Sequence, residues 1–295
     1  MTLLGSHPFA QVDVFADRPL AGNPVAVVFD ADDLGTERMQ ALARWTNLSE
    51  TTFVCRPTSP GADYRLRIFT PAAELPFAGH PTLGSAHAVR AMRGPGSRNA
   101  RLVQECAAGL VSLRVDQSGG LALELPPVAE RALATSDEMA LVRAVALRPD
   151  DVGAHATLDV GPRWTVLELE DADAVLAVTP DPSALAALSK RLDLTGVVVF
   201  GRHRPDAAPP GEDGTDSPRY EVRAFAPAHG VPEDPVCGSG NGCVAALLAR
   251  RGETDYVASQ GRVCGRDGRV QIRYEGGTIW LGGQCVTTIE GRLSL

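Results

Sequence analysis

The 295-residue sequence lacks the features that mark several broad classes of protein. No apolar stretch approaches the roughly 20 residues that cross a bilayer. The segment Met1–His7 has neither the charged start nor the long apolar run of a secretory signal. No basic run interrupts a composition of 36 acidic and 28 basic residues, and the net charge of −8 opposes binding to nucleic acid or anionic membranes. We therefore expect a cytoplasmic protein that binds neither.

The spacings of common cofactor and metal sites are also missing from the sequence. Its six cysteines include no C-x-x-C pair, and its histidines form no metal-binding spacing with them or with one another. The glycines of 238–242 do not match G-x-G-x-x-G, and Pro235 interrupts the strand that such a loop requires. No Ser-His-Asp order favours a hydrolase. We expect reduced thiols, no metal and no bound nucleotide.

A strand, a proline-rich turn and a helix start form the most informative pattern that is present. Residues Tyr64–Thr70 alternate polar and apolar side chains, which predicts a half-buried strand. Two prolines end it, and the composition of 81–93 predicts a helix with Pro81 at its first position. This places His80 at a helix N-terminus, where backbone N–H groups favour an anionic ligand.

The same pattern occurs a second time further along the chain. Tyr220–Pro227 predicts a strand that again ends at Phe-x-Pro, and an apolar helix is predicted over 242–251 after the turn 233–239. Such self-similarity predicts two domains of one architecture that face each other across a cleft. If the two helix starts converge, they form a carboxylate site framed by His80 and Asp234.

The remaining chain predicts many strands, few helices and a large core. With 44% apolar residues the sequence can build two domains, and Pro126-Pro127 marks their border. We predict an α+β fold with sheets wrapped around a central helix in each half. The N-terminal domain takes 1–126 and is completed by a closing strand near 284–295, the C-terminal domain takes 127–283, and 202–219 is an exposed flexible loop.

Four blocks of sequence, in this order along the chain, resemble the PhzF family of phenazine biosynthesis. The resemblance implies the diaminopimelate-epimerase-like fold, with two similar domains that each curl a mostly antiparallel sheet around a helix. It also implies a homodimer, no cofactor, and isomerisation of trans-2,3-dihydro-3-hydroxyanthranilate to a reactive ketone. The blocks are Gly22–Val27, Asn47–Val54, Phe69–Pro81 and Phe225–Ser239.

Three polar residues match the catalytic positions of that family. A proton shift along a ring needs one group that removes a proton from carbon and returns it elsewhere, so a single carboxylate suffices. The resemblance assigns this role to Glu50, and assigns His80 and Asp234 to the amine, hydroxyl or carboxylate groups of the substrate. From the sequence alone, Glu50 is also compatible with a surface position, His80 with a helix N-cap and Asp234 with a turn.

Further residues are candidates for substrate binding. Gly79, Gly238 and Ser239 would offer backbone N–H groups to the substrate carboxylate, and Ser239 also a hydroxyl. Ser49 would order the loop that carries Glu50.

One residue departs from the family pattern. Cys237 stands where phenazine enzymes usually have threonine and where related epimerases carry a catalytic thiol. Its counterpart in the first half is Ala78, so we expect no racemisation by two thiols. A small buried cysteine behind Ser239 is the simpler interpretation.

Three functions are therefore compatible with the sequence. The first is the ring isomerase of phenazine assembly. The second is a related isomerase or epimerase that acts on another small carboxylate in secondary metabolism, as the change at Cys237 suggests. The third is a non-catalytic binding protein on the same fold, which the retention of Glu50, His80 and Asp234 argues against.

Overall fold

A computed structural model describes residues 5–94, 100–204 and 217–295 of the chain. Most of the predicted loop 202–219 lies outside these residues. Its two ends, however, belong to the sheet, because the His203 N–H donates to the Arg219 carbonyl and the Arg219 N–H donates to the Val257 carbonyl. Among the described residues, no helix has the length and apolar character needed to span a membrane.

The contacts between residues divide the chain into two compact units. The first unit comprises 1–123 and 282–295, and the second comprises 124–281.

The first unit is a curled sheet that surrounds one helix. β1 pairs with both β2 and β18, β2 runs parallel to β3, β3 is antiparallel to β4, and β4 is parallel to β6. Its elements are β1 Ser6–Val14, β2 Asn23–Val28, α1 Thr36–Thr46, β3 Glu50–Cys55, β4 Tyr64–Phe69, β5 Glu74–Leu75, α2 Gly79–Arg93, β6 Arg101–Cys106, β7 Gly109–Val115, β8 Leu121–Glu124 and β18 Cys285–Ser294.

The second unit repeats this order of pairing. β11 is parallel to β12, β12 is antiparallel to β13, and β13 is parallel to β15. Its elements are β9 Ala129–Glu130, α3 Thr135–Ala144, β10 His155–Asp159, β11 Arg163–Glu168, α4 Ala172–Ala177, α5 Pro182–Leu192, β12 Gly196–Arg202, β13 Tyr220–Ala226, β14 Val231–Asp234, α6 Gly238–Ala249, β15 Tyr256–Gln260, β16 Gly268–Glu275 and β17 Thr278–Gly283. The predicted fold class and the internal repeat are thus confirmed.

A buried helix occupies the centre of each unit. Ten of the 12 residues of α6 are buried, which is typical of a helix that is covered on all sides. Two glycines bring these helices close to their surroundings. A Cβ at Gly84 would overlap the Val25 side chain and lie 2.8 Å from Val14 Cγ2, and a Cβ at Gly242 would overlap Leu125.

Both helices begin earlier than the sequence predicts. α2 starts at Gly79 rather than Pro81, with Ala78 as its N-cap, so His80 is a helical residue and not a cap. α6 starts at Gly238 rather than Gly242, because Cys237 is its N-cap and its sulfur accepts the Gly240 N–H. Glycines discourage a helix prediction, but the packing of these two helices overrides that preference.

The short strands β5, β9, β10 and β14 have no clear sequence pattern and were not predicted. The strands β5, β9 and β14 have four residues or fewer, and β10 has five. Such lengths are too short for a period of two to be recognised.

The close packing of α2 predicts that Gly84→Ala destabilises the protein. The added methyl group must displace Val25 or Val14, and overpacking outweighs the better helix propensity of alanine. We expect the free energy of unfolding in urea to fall by at least about 1 kcal/mol. Gly291→Ala in β18 is the control, because a methyl group there meets nothing within 4 Å. Equal stability of the two variants would contradict this account of the packing.

Candidate active site

Glu50 is the first residue of β3 and is fixed by the sheet. It pairs with Val25 of the parallel strand β2. The preceding turn reverses the chain at Asn47, which has φ 55° and ends α1. Ser49 lies half-buried in the same turn, next to Glu50. The side chain of Glu50 is 15% exposed, so its carboxylate is largely removed from water.

His80 lies in the first turn of α2 and faces Glu50. Its Nε2 is 3.4 Å from Glu50 Oε2. Burial lowers the pKa of the imidazole to about 4, although a hydrogen bond to the Pro24 carbonyl opposes this effect. The ring is therefore neutral near pH 7, with one N–H directed at Pro24. A neutral imidazole adds no positive charge beside the Glu50 carboxylate.

Buried hydroxyl groups join α2 to the strand that carries Glu50. Thr52 Oγ1 donates to the Ala26 carbonyl at 3.0 Å and lies 2.9 Å from Ser85 Oγ. Gln104 of β6 donates from Nε2 to Thr82 Oγ1 at 3.0 Å. Since buried hydrogen bonds have defined geometry, they hold the first turn of α2 in a fixed position relative to β3.

Asp234 ends β14 in the second unit. Its Oδ1 accepts the Val236 N–H at 3.2 Å, as in the turn that the sequence suggests. Burial raises the pKa of its carboxyl to about 6, a hydrogen bond from the Cys237 side chain opposes this, and the neighbouring Glu233 adds to it. Asp234 is thus an acid that titrates close to neutral pH, which suits proton transfer.

Cys237 is the N-cap of α6, and Ser239 is the second residue of this helix. The Cys237 thiol is buried, accepts the Gly240 N–H at 3.3 Å and lies 3.6 Å from Ser239 Oγ. Burial and the nearby Asp234 carboxyl raise the pKa of this thiol well above its usual range. It therefore remains protonated, as expected for a structural cysteine. Ser239 Oγ accepts a hydrogen bond of 3.0 Å from Trp164 Nε1.

A buried glutamine that the sequence analysis missed organises this helix start. Gln260 Oε1 accepts the Cys237 N–H at 3.1 Å and an Asn241 Nδ2 proton at 2.7 Å, and its Nε2 donates to the Asp234 carbonyl at 3.0 Å. Gln104 binds α2 in the first unit through a different contact, in which its Nε2 donates to Thr82 Oγ1. No local pattern in the sequence marks Gln260, because its partners lie 19 to 26 residues away in the chain.

The structure thus brings the predicted residues together as two groups, one in each unit. Glu50 and His80 are in direct contact, with Ser49 and Gly79 adjacent to them in sequence. Asp234 ends the strand before α6, and Gly238 and Ser239 are the first two residues of α6. The N-cap residue Ala78 makes no side-chain hydrogen bond to α2, and backbone N–H groups at a helix N-terminus can bind an anion. The first group can move a proton, and both helix starts can bind a carboxylate.

The chain matches the family model described as PhzC-PhzF, phenazine biosynthesis-like protein, over residues 12–291. It therefore belongs to this family. An antisense-enhancing sequence 1 protein from Schizosaccharomyces pombe is 39% identical over 302 residues, which cover 97% of this chain and 98% of that protein. A trans-2,3-dihydro-3-hydroxyanthranilate isomerase from Pseudomonas aeruginosa is 37% identical over 296 residues, which cover 96% and 94%. The chain is a PhzF-type isomerase.

A solved structure supports the fold. The PhzF-family phenazine biosynthesis protein from Bacillus anthracis superposes with a TM-score of 0.84 over 99% of this chain and 100% of that chain, at 24% sequence identity.

The lowered pKa of His80 predicts a specific loss of stability in acid. An unfolded histidine gains its proton near pH 6.5, whereas His80 in the folded protein gains it near pH 4. The unfolded state therefore binds more protons in this window, and stability falls as the pH falls through it. Between pH 7 and pH 4, the wild-type protein should lose about 3 kcal/mol more of its unfolding free energy than His80→Asn does.

Urea denaturation at a series of pH values measures this difference. Asparagine is the control residue because it is polar and of similar size but does not titrate. Parallel stability curves for the two proteins would show that His80 is not protected from protonation in the folded state.

Proposed function

We propose that this protein shifts a proton on trans-2,3-dihydro-3-hydroxyanthranilate and thereby forms a reactive ketone of phenazine biosynthesis. The observation that carries the proposal is the 3.4 Å contact between the Glu50 carboxylate and the neutral His80 imidazole. The Pseudomonas aeruginosa isomerase, which is named for this substrate, supports the choice.

Glu50 is the proton shuttle in this proposal. Its carboxylate removes a proton from one ring carbon and returns it to another, so electrons move along the conjugated system and no group is oxidised or reduced. A redox cofactor is therefore not required by the balance of the reaction. The sheet fixes the Glu50 backbone, while its side chain can rotate between the two carbons, which a single shuttle needs.

His80, Asp234 and the helix starts bind the polar groups of the substrate. Because the single N–H of the neutral His80 ring is directed at Pro24, its Nε2 can accept one hydrogen bond from a hydroxyl or amine without altering the charge near Glu50. The ionised Asp234 carboxylate can pair with the amine of the substrate. Gly79, Gly238 and Ser239 offer backbone N–H groups to the carboxylate, and Trp164 orients the Ser239 hydroxyl.

Further properties belong to the proposal: the family resemblance implies the homodimer and the small carboxylate, and the composition of the sequence gives the other expectations. We infer that the enzyme acts in the cytoplasm and as a homodimer, on a small carboxylate and without nucleic acid or membrane as a partner. Analytical ultracentrifugation of the purified protein tests the dimer directly.

Proton NMR in deuterated buffer tests the reaction. Wild-type protein incubated with dihydrohydroxyanthranilate should consume it and give a new ring-coupled product, whereas Glu50→Gln should lower the rate by about 10²-fold or more because the amide cannot accept a proton. Glu37→Gln is the control, since Glu37 is an exposed glutamate in the first turn of α1. A folded wild-type protein that leaves the substrate unchanged would refute the proposed substrate.

The second candidate is isomerisation or epimerisation of another small carboxylate. It is favoured by Cys237, whose thiol contacts Ser239 and hydrogen bonds to Asp234. A threonine there is branched and offers a stronger hydroxyl donor, which changes the lining of the site.

Comparison of wild type with Cys237→Thr distinguishes the two candidates. If the enzyme is adapted to a different carboxylate, the threonine variant should turn over dihydrohydroxyanthranilate faster, by about fivefold, because one hydrogen bond is worth about 1 kcal/mol. An unchanged or lower kcat/KM in this variant, with an active wild-type protein, would favour the phenazine substrate and count against the second candidate.

A further inference from the structure

An arginine and a glutamate are paired at the same place in both units. In the second unit Arg223 of β13 binds Glu233 of β14 through two hydrogen bonds of 2.8 Å. In the first unit Arg67 of β4 binds Glu74 of β5 through two hydrogen bonds of 2.7 Å. Each arginine also lies over the phenylalanine two residues later, at 5.2 Å from the Phe69 ring and 5.0 Å from the Phe225 ring.

The two pairs differ in the residue that follows the glutamate. With the helix N-caps Ala78 and Cys237 aligned, Glu74 corresponds to Glu233 and Leu75 corresponds to Asp234. The pair in the first unit therefore stands beside an apolar residue. In the second unit it stands beside the proposed catalytic carboxyl.

β14 depends on side-chain contacts for its position. It has only four residues, and its pairing with β13 shifts in register between Ala224 and Ala226. The Glu233 carboxylate is held by Arg223, while the next residue, Asp234, is held through its carbonyl by Gln260. A bidentate arginine–carboxylate pair fixes both position and orientation.

Arg223 is itself held firmly. Its side chain is 4% exposed. Nη1 donates to the carbonyls of Val175 at 3.1 Å, Leu176 at 3.3 Å and Val178 at 2.7 Å, which lie at the end of α4. The guanidinium thus satisfies carbonyls at a helix C-terminus, where positive charge is favourable, and neutralises Glu233 at the same time. By contrast, Arg67 is 24% exposed.

We propose that Arg223 and Glu233 are positioning residues that set both the location of Asp234 and the charge around it. This inference rests on the catalytic role proposed for Asp234. The groups that face this part of the chain are Glu233 from the same strand, Arg223 from β13, the Cys237 thiol at the start of α6 and the Cys264 thiol, which hydrogen bonds to Glu233. Of these, Glu233 and Arg223 form a salt bridge, whereas burial raises the pKa of both thiols.

The charge of the pair predicts opposite effects of its two members. Glu233→Gln keeps a hydrogen-bonding partner for Arg223 but removes the negative charge, so the pKa of Asp234 should fall. Arg223→Gln leaves the charge of Glu233 uncompensated, so the pKa of Asp234 should rise. For unit charges separated by roughly 10 Å in a medium of effective dielectric near 20, the change is about one pH unit in each direction.

NMR of protein labelled with ¹³C at the aspartate carboxyl measures the titration of Asp234 without reference to any substrate. Asp234→Asn identifies the resonance. The single variants should move its midpoint in opposite directions from about 6, and the double variant Arg223→Gln/Glu233→Gln should return it towards the wild-type value. Glu74→Gln and Arg67→Gln are the matched controls and should leave it unchanged, because that pair adjoins Leu75.

The outcomes separate this inference from the proposed function. If Glu233→Gln leaves the midpoint of Asp234 where it is, or if the control pair moves it equally, the inference is overturned. The Glu233→Gln variant and the control pair decide the inference by themselves, even if Arg223→Gln does not fold. If the midpoint moves but the pH dependence of kcat/KM does not, Arg223 and Glu233 do tune Asp234, and the failure lies in the catalytic role proposed for Asp234.

Discussion

The burial of His80, together with the partial burial of Asp234, is the constraint on which the candidate site depends. Desolvation disfavours the charged form of both groups, so it lowers the pKa of the imidazole to about 4 and raises that of the carboxyl to about 6. The stability effects have opposite signs. As the pH falls from 6 to 4, the protein loses stability through His80 and gains it through Asp234. The two effects partly cancel in this range, so each must be measured with its own variant.

The fold supports this desolvation by fixing the first turns of its two central helices. Small residues let α2 and α6 lie close to their surroundings, as the contacts at Gly84 and Gly242 show. Gln104 and Gln260 then join each first turn to a neighbouring strand. Buried polar groups that are fully hydrogen-bonded add rigidity. Site residues attached to such a turn have few alternative positions.

The sequence contains enough information for most of the strands and for the two central helices. Alternation and proline positions identified β4 and β13, while the family motifs suggested Glu50, His80 and Asp234 as candidate site residues. The starts of α2 and α6 could not be predicted, because glycine lowers helix propensity and only tertiary packing compensates for it. Gln260 and Arg223 were missed for a similar reason. Their roles depend on partners 10 to 48 residues away in the chain, and local patterns do not reveal such pairs.

The two units share the same arrangement of strands and central helix, but they carry different side chains at the start of that helix. Both units contain the arginine–glutamate pair and a buried central helix. The N-cap itself is Ala78 in one unit and Cys237 in the other. A racemase that uses two thiols needs an acid–base group at both positions, and the methyl side chain of Ala78 cannot act as one. The Cys237 thiol is moreover held in its protonated form by burial. A proton shift by one carboxylate needs no such symmetry, which favours Glu50 as the acting base.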